Sequence, residues 1–199
     1  MNIFQHALIY FTCIMSISLT QVYSQEVTES QIERKDGKVY KMGSGTPYNG
    51  VVNSSYPASG KKKARSTYVN GLLSGAYTEW HENANLKNES NYKDGKIEGK
   101  FTAYFSNGAK ERTGTIVGGK KSGLFVTWFE NGVKASEGNW VDNKKDGTFR
   151  SWYENGKMEA EEIFKAGAEE GVHKFWDEEG KLIAEDTYKA GVKLSSKEY

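Results

Sequence analysis

The stretch WFENGVKASEGNWVDN, residues 128–143, contains an Asn-Gly pair between two runs that carry aromatic residues. Nearly the same phrase occurs as YFSNGAKERTGTIVGG at residues 104–119 and as SWYENGKMEAEEIFKAG at residues 151–167. A phrase that recurs at regular intervals is the sequence signature of a repeat protein, in which one supersecondary unit is copied along the chain. The chain is therefore a repeat array.

Five columns of residues keep the same period of 24 residues. The first glycine column consists of Gly71, Gly95, Gly119, Asn143, Gly167 and Gly191, and the second of Gly75, Gly99, Gly123, Gly147 and Gly171. An aromatic column follows at Trp80, Tyr104, Trp128, Trp152 and Trp176. A turn column lies at Ala84, Gly108, Gly132, Gly156 and Gly180, and a closing column at Tyr92, Ile116, Trp140, Phe164 and Tyr188. Five columns in register predict that the units share one backbone conformation.

The Asn-Gly pair predicts that each unit is a β-hairpin. Asn and Gly both tolerate positive φ, which tight hairpin turns require, as at Asn155-Gly156. Related turns are expected at Ser106–Gly108 and at Glu178–Gly180, whereas Asn83-Ala84 departs from the pattern and predicts a looser turn. A second connection, as at Lys93–Lys96, joins one hairpin to the next.

Alternation along each strand assigns the aromatic residues to two faces of the predicted sheet. Phe125 and Phe129 share one face, whereas Trp128 lies on the other. An acidic column on the second strand is interpreted as a solvated face and consists of Glu89, Glu137, Glu161 and Glu185. A ribbon one layer thick cannot easily hide aromatic residues on both faces, and an exposed row would be a ready contact surface. The alternative is that the sheet curls and the aromatic columns only pack on one another. The row selected as the candidate partner-binding site is Trp80, Tyr104, Trp128, Trp152 and Trp176.

A single hairpin is marginal in water, but neighbouring copies can cover one another's aromatic residues. We therefore predict an all-β fold, an elongated single-sheet repeat array of antiparallel β-hairpins with a 24-residue period. Residues 25–46 are expected to form an N-terminal capping segment or hairpin, and residues 47–190 six tandem repeats. Residues 191–199 begin another unit and then turn polar, which predicts a truncated repeat and a C-terminal cap.

The first 24 residues differ from the rest and predict a signal peptide. An apolar stretch runs from Ala7 to about Leu19, and Val22 and Ser24 are small residues suited to cleavage after Ser24. We therefore expect export to the periplasm, the cell surface or the medium. The only cysteine, Cys13, lies inside this segment, so the mature chain is expected to have no disulfide and no thiol chemistry.

Composition argues against several classes of function. The net charge is +1, from 27 Lys+Arg and 26 Asp+Glu distributed along the repeats, so nucleic acid is not expected as a partner. The mature chain contains two histidines, His81 and His173, which replace aromatic residues in two different columns and are assigned to packing or surface positions. No catalytic constellation, phosphate loop or metal-ligand spacing is found, so no enzyme activity, cofactor or metal is expected. No integral membrane segment is expected in the mature chain.

The motif GxxxG, an aromatic pair, Asn-Gly, a distant aromatic residue and GxxxG again resembles the MORN repeat variant associated with YwqK-family antitoxins. TPYNGVV at residues 46–52 is similar to the opening unit of that family, and the resemblance extends from about Gly37 to Leu194. It implies an elongated antiparallel repeat sheet used for contacts, and the antitoxin label implies a protein partner.

These observations predict a non-enzymatic, exported protein-interaction module whose partner is another protein. Two alternatives are kept open. The first is an antidote or immunity protein that neutralises a specific toxin. The second is a protein that binds glycans or the cell envelope, because tryptophan rows can stack on sugar rings.

Overall fold

The computed structural model of the chain describes residues 25–199, and it confirms the predicted all-β fold. The predicted signal peptide, residues 1–24, lies outside the described residues. The strands are β1 (Glu26–Thr28), β2 (Ile32–Lys35), β3 (Lys38–Lys41), β4 (Gly50–Ser55), β5 (Lys62–Val69), β6 (Leu72–Trp80), β7 (Leu86–Lys93), β8 (Lys96–Tyr104), β9 (Lys110–Val117), β10 (Lys120–Lys121), β11 (Gly123–Trp128), β12 (Lys134–Val141), β13 (Lys144–Lys145), β14 (Gly147–Trp152), β15 (Met158–Lys165), β16 (Ala168–Glu169), β17 (Gly171–Trp176), β18 (Leu182–Lys189) and β19 (Val192–Glu198). One 3₁₀ turn, Glu29–Gln31, lies between β1 and β2.

One long sheet is built by consecutive strands that pair in chain order from β4 to β19. Every pairing in this series is antiparallel, and β1 adds to the outer edge of β4 in parallel orientation. The two-residue strands β10, β13 and β16 each pair with the strand before them and lead directly into β11, β14 and β17. The hairpin β2–β3 forms a separate two-stranded sheet. The predicted elongated array of hairpins is thus the observed architecture.

The second glycine column marks a bulge inside the first strand of each hairpin. Ser90 pairs with Phe101 and Tyr92 pairs with Ile97, so β8 uses four residues where β7 uses two. Gly99 lies within this bulge at φ 89°. A bulge shortens the strand locally and changes where its side chains point. It therefore brings residues four apart on the first strand, such as Ile97 and Phe101, close together on one face.

The two kinds of connection in the array have different backbones. The connections between hairpins are two-residue turns in which both central residues have positive φ, as at Asp94 (49°) and Gly95 (81°). In the turns that carry the Asn-Gly pair, only the glycine has positive φ, as at Gly108 (89°). Our explanation that both residues supply positive φ is therefore wrong for the asparagine.

The asparagines instead link successive turns through their side chains. The Nδ2 group of Asn107 donates to the carbonyl oxygen of Glu130 at 2.9 Å, and its Oδ1 atom accepts the N–H of Ala109 at 2.8 Å. The same pair of bonds recurs at Asn83, Asn131 and Asn155, with Nδ2 donating 23 residues ahead at 2.6–3.0 Å. This series, the asparagine ladder, ties each repeat to the next.

The turn at Asn83-Ala84 is not looser than the others. His81 N–H donates to Asn85 at 2.8 Å and Ala84 N–H donates to His81 at 2.9 Å, matching the bonds at Phe105, Gly108 and Ala109. Ala84 is held at φ 73°, a conformation that the side chain of an L-residue disfavours. Neighbouring turns thus impose their geometry on this residue.

The most deeply buried apolar cluster lies at the N-terminal end. It consists of Val27, Ile32, Val39, Tyr48 and Val52, with Tyr68 packed against it. Three backbone bonds of 2.9 Å close this end, from Val39 N–H to Gly71, from Gly71 N–H to Tyr48 and from Tyr48 N–H to Val39. At the other end every residue of β19 is exposed. The predicted division into capping segments and six repeats stays a prediction.

Replacing Ala84 by Gly is expected to stabilise the protein by about 0.5–1 kcal/mol, because relief of the left-handed strain outweighs the added entropy of the unfolded chain. Urea denaturation of residues 25–199 measures the difference. Ala76→Gly, an exposed mid-strand residue of β6, is the matched control and is expected to destabilise by about the same amount. Loss of stability in Ala84→Gly contradicts this account.

Asn131→Asp is expected to destabilise the array by about 1–2 kcal/mol, because Oδ1 still accepts the Val133 N–H but the other side-chain oxygen now faces the Glu154 carbonyl. Asn139→Asp, an exposed residue of β12 in the same repeat, is the control for the added charge. Thermal unfolding by circular dichroism compares the two variants. An equal loss of thermal stability in the two variants would contradict a stabilising role for the asparagine ladder.

Candidate functional site

The five residues predicted to bind a partner lie in one row. Trp80, Tyr104, Trp128, Trp152 and Trp176 each end the first strand of a hairpin, and all five are half-buried. They share one face with the predicted acidic column, since the Tyr104 hydroxyl donates to Glu89 Oε2 at 2.8 Å. Burial, followed by this hydrogen bond, raises the pKa of Tyr104. We call this side of the sheet the tryptophan face.

Three carboxylates of the acidic column are paired with cations, so the interpretation as a solvated face needs correction. Arg150 Nε lies 2.9 Å from Glu161 Oε2, and Lys134 Nζ lies 2.7 Å from Glu137 Oε2. A further pair joins Lys174 to Glu185 at 3.7 Å. The exposed side-chain fractions of the three carboxylates are 31%, 23% and 27%. The Arg150–Glu161 and Lys174–Glu185 pairs join adjacent strands and stabilise the sheet as cross-strand pairs, whereas Lys134 and Glu137 lie on the same strand, β12.

Lysines also lie over the tryptophan row. Lys62 Nζ is 3.8 Å from the ring centroid of Trp80, and Lys134 Nζ is 5.1 Å from that of Trp152. Their alkyl chains cover apolar surface while their ammonium groups meet the ring face. The ring faces of Trp80 and Trp152 therefore already have cationic partners within the sheet.

The opposite side of the sheet carries a continuous series of rings, and we call it the ring face. Successive ring centroids are 5.3–6.2 Å apart from Phe101 through Phe125, Trp140, Phe149 and Phe164 to His173, and 4.6 Å apart from His173 to Tyr188. Pairs at these distances contribute about 0.5–1.5 kcal/mol beyond area burial. From Phe125 to Tyr188, the series alternates between a ring of the first strand of a hairpin and a ring of the closing column on its second strand.

Two glycines without positive φ allow the rings to lie on the backbone. A Cβ atom at Gly114 would stand 2.5 Å from the ring of Phe125, and one at Gly138 would stand 2.1 Å from the ring of Phe149. Both distances are far below ordinary van der Waals contact. The corresponding place in the preceding repeat is Ser90, whose hydroxyl is buried without a protein partner. The rings of Phe125 and Phe149 thus cover the backbone of these two glycines in the middle of the array.

Sequence reasoning missed two lysines of the ring face. Lys121 Nζ lies 4.3 Å from the ring centroid of Trp140, and Lys145 Nζ lies 4.2 Å from that of Phe164. Each also approaches the phenylalanine four residues ahead, Phe125 at 5.3 Å and Phe149 at 4.8 Å, because the bulge shortens the strand between them. A cavity of about 260 Å³ lies between the two lysines.

The two histidines occupy packing positions, as expected from their columns. His173 is 1% exposed, and its Nε2 donates to the carbonyl oxygen of Ile163 at 2.9 Å. His81 Nε2 likewise donates to Tyr104 at 2.9 Å. Within residues 25–199, no cluster of three or more metal-ligating side chains is present.

The array ends in a small polar network that faces His173. Asp186, directly opposite His173, accepts hydrogen bonds from Lys193 at 2.8 Å and from Ser196 at 2.5 Å. These two bonds keep the pKa of Asp186 below its ordinary value. Asp186 thereby fastens the exposed strand β19 to β18.

Three segments of the chain match the family model described as "MORN repeat variant": residues 73–94, 145–166 and 169–190. Each segment spans one hairpin, β6–β7, β13–β15 or β16–β18. MORN repeats generally act as interaction modules for proteins or membranes rather than as catalysts. No curated protein matches the chain at a significant level. In the part of the chain that the structure describes, no helix is long and apolar enough to span a membrane.

Gly138→Ala is expected to destabilise the protein by about 1–3 kcal/mol, because the new methyl group displaces the Phe149 ring from the series. Gly138→Ala combined with Phe149→Leu should recover part of this loss, since the smaller side chain leaves room for the methyl group. Urea denaturation of the single and double variants measures the coupling between the two sites. Strictly additive effects would show that the ring does not rest on Gly138.

Proposed function

We propose that the protein is a non-enzymatic, exported interaction module that binds another protein on its sheet. The observation that carries the proposal is the single-layer architecture with aromatic rows on both faces. Lysine side chains lie over rings of both rows, such as Lys62 over Trp80 and Lys121 over Trp140. Half-buried aromatic residues on a rigid scaffold are suited to be anchors of a protein interface. The matches to the MORN repeat variant favour the same class of function.

Export of the chain belongs to the proposal and is supported by its N-terminal sequence. The apolar segment from Ala7 to Leu19, followed by Val22 and Ser24, has the features of a cleaved signal peptide. The partner is accordingly expected in the periplasm, on the cell surface or in the medium.

The resemblance to YwqK-family antitoxins favours a narrower version, in which the partner is a toxin that this protein neutralises. Glycan binding is a second candidate, favoured by the regular row on the tryptophan face. Equivalent residues of adjacent repeats are two strands apart, or about 10 Å, and could stack on successive sugars of an extended polysaccharide. Cell-wall polysaccharides that quench tryptophan fluorescence of the protein would support this candidate over a protein partner.

One recovery experiment tests both the partner and the export. The full chain with a C-terminal affinity tag is expressed in its own cells and recovered from the envelope and the medium. The recovered protein is expected to begin at Gln25 and to retain one stoichiometric protein partner. Recovery of an uncleaved cytoplasmic chain would contradict export, and recovery without any protein partner would contradict the interaction function.

Variants then assign the partner to a face. Trp128→Leu with Trp152→Leu removes two indole rings from the tryptophan face. Leu124→Ser, an exposed residue of β11 on the same face, is the control for loss of apolar surface without loss of a ring. Loss of the partner from a variant that keeps the wild-type circular dichroism spectrum would place the interface on the tryptophan face. A toxic activity of the partner that the protein suppresses would establish the antidote version.

A further inference from the structure

We propose that the ring face binds an extended acidic polypeptide in polyproline II conformation, with carboxylates at every third residue paired to Lys121 and Lys145. This inference rests on the proposed interaction function and names both the face and the chemistry of the partner.

The charges of the ring face are the first argument. Within residues 25–199, no carboxylate lies within 4.0 Å of the Lys121 or Lys145 ammonium group, whereas three cations of the tryptophan face, Lys134, Arg150 and Lys174, are paired at 2.7–3.8 Å. Both ammonium groups lie over rings, where an anion above the sheet can reach them. Charge complementarity therefore selects an acidic partner for this face.

The shape of the ring face is the second argument. Between the two lysines, the cavity of about 260 Å³ is lined by Phe125, Trp140 and Phe149, among others. Cavities with aromatic walls are suited to flat, preformed ligands such as proline-rich segments.

Spacing is the third argument, and it selects the conformation of the partner. Lys121 and Lys145 are equivalent residues of adjacent repeats, two strands or about 9.6 Å apart. A polyproline II helix has three residues per turn and rises about 3.1 Å per residue, so residues three apart lie on one side at about 9.3 Å. A partner in this conformation matches the period of the array without strain.

The next position along the array limits the length of the acidic motif. Glu169 occupies the place of Lys145 one repeat later, and Glu162 lies beside the cavity in the column of Gly138. A third carboxylate in the partner would face these residues and be repelled. We therefore expect two carboxylates three residues apart, followed by a neutral or basic residue toward the C-terminal end of the array.

Fluorescein-labelled peptides PPEPPEPP and PPEPPPEPP, with carboxylates three and four residues apart, test the proposal by fluorescence anisotropy against residues 25–199. PPEPPEPP is expected to bind at least tenfold more tightly than PPEPPPEPP, because the extra proline in PPEPPPEPP turns one carboxylate away from its lysine. Its affinity should fall as salt increases from 50 to 200 mM. PPKPPKPP is expected not to bind.

The double variant Lys121→Gln/Lys145→Gln is expected to weaken binding of PPEPPEPP by about tenfold or more. Its matched control is Lys120→Gln/Lys144→Gln, which removes the same charge from the adjacent exposed residues on the opposite face. Circular dichroism verifies that both variants fold. Equal affinity for the two acidic peptides, or equal loss in the two lysine variants, would overturn the proposal.

Two other occupants of the ring face give distinct results. Preferential binding of polygalacturonate would assign the face to an acidic polysaccharide and overturn the peptide proposal. The other result, in sedimentation velocity, is self-association that weakens with salt and is abolished by Lys121→Gln/Lys145→Gln, while PPEPPEPP does not bind. That result would assign the ring face to a second copy of this chain and would also overturn the peptide proposal. If the partner recovered from cells binds this lysine variant normally, the ring-face proposal fails while the interaction function stands.

Discussion

A hairpin of this chain cannot bury its own aromatic residues, and the rest of the structure depends on that constraint. Ring centroids on the ring face are 4.6–6.2 Å apart from Phe101 to Tyr188, and the series passes both within hairpins and from one hairpin to the next. On the other face, Arg150 lies 3.8 Å from Glu137 of the preceding repeat, and along the turns the asparagine ladder connects repeat to repeat. Contacts between repeats therefore add to those within each hairpin.

Much of the architecture could be predicted because it depends on periodicity. Residues 24 apart revealed the hairpins, and alternation placed Phe125 and Trp128 on opposite faces. The turns were less predictable, because an asparagine side chain can satisfy a neighbouring carbonyl as readily as its backbone can adopt positive φ. Ala84 shows the same limit, since its positive φ is imposed by the adjacent repeat and not by its own propensity.

The candidate ligand residues of the ring face were hidden for a different reason. In a regular strand, Lys121 would lie about 13 Å from Phe125, too far for its ammonium group to rest on the rings. The bulge at the second glycine column brings the two together, and a glycine column does not by itself distinguish a bulge from a turn. Within residues 25–199, Lys121 and Lys145 have no carboxylate within 4.0 Å, whereas Lys134, Arg150 and Lys174 on the tryptophan face do.

Native-state hydrogen exchange of residues 25–199, followed amide by amide, tests most directly whether each repeat is stabilised by the repeats next to it. The account predicts graded protection, highest near the buried cluster of Val27, Val39 and Val52 and across the central hairpins, and lowest in the exposed strand β19. Asn131→Asp should lower protection most in the repeats that it joins. A single exchange rate for all strands, limited by global unfolding, would contradict the account and show that the array folds as one indivisible unit.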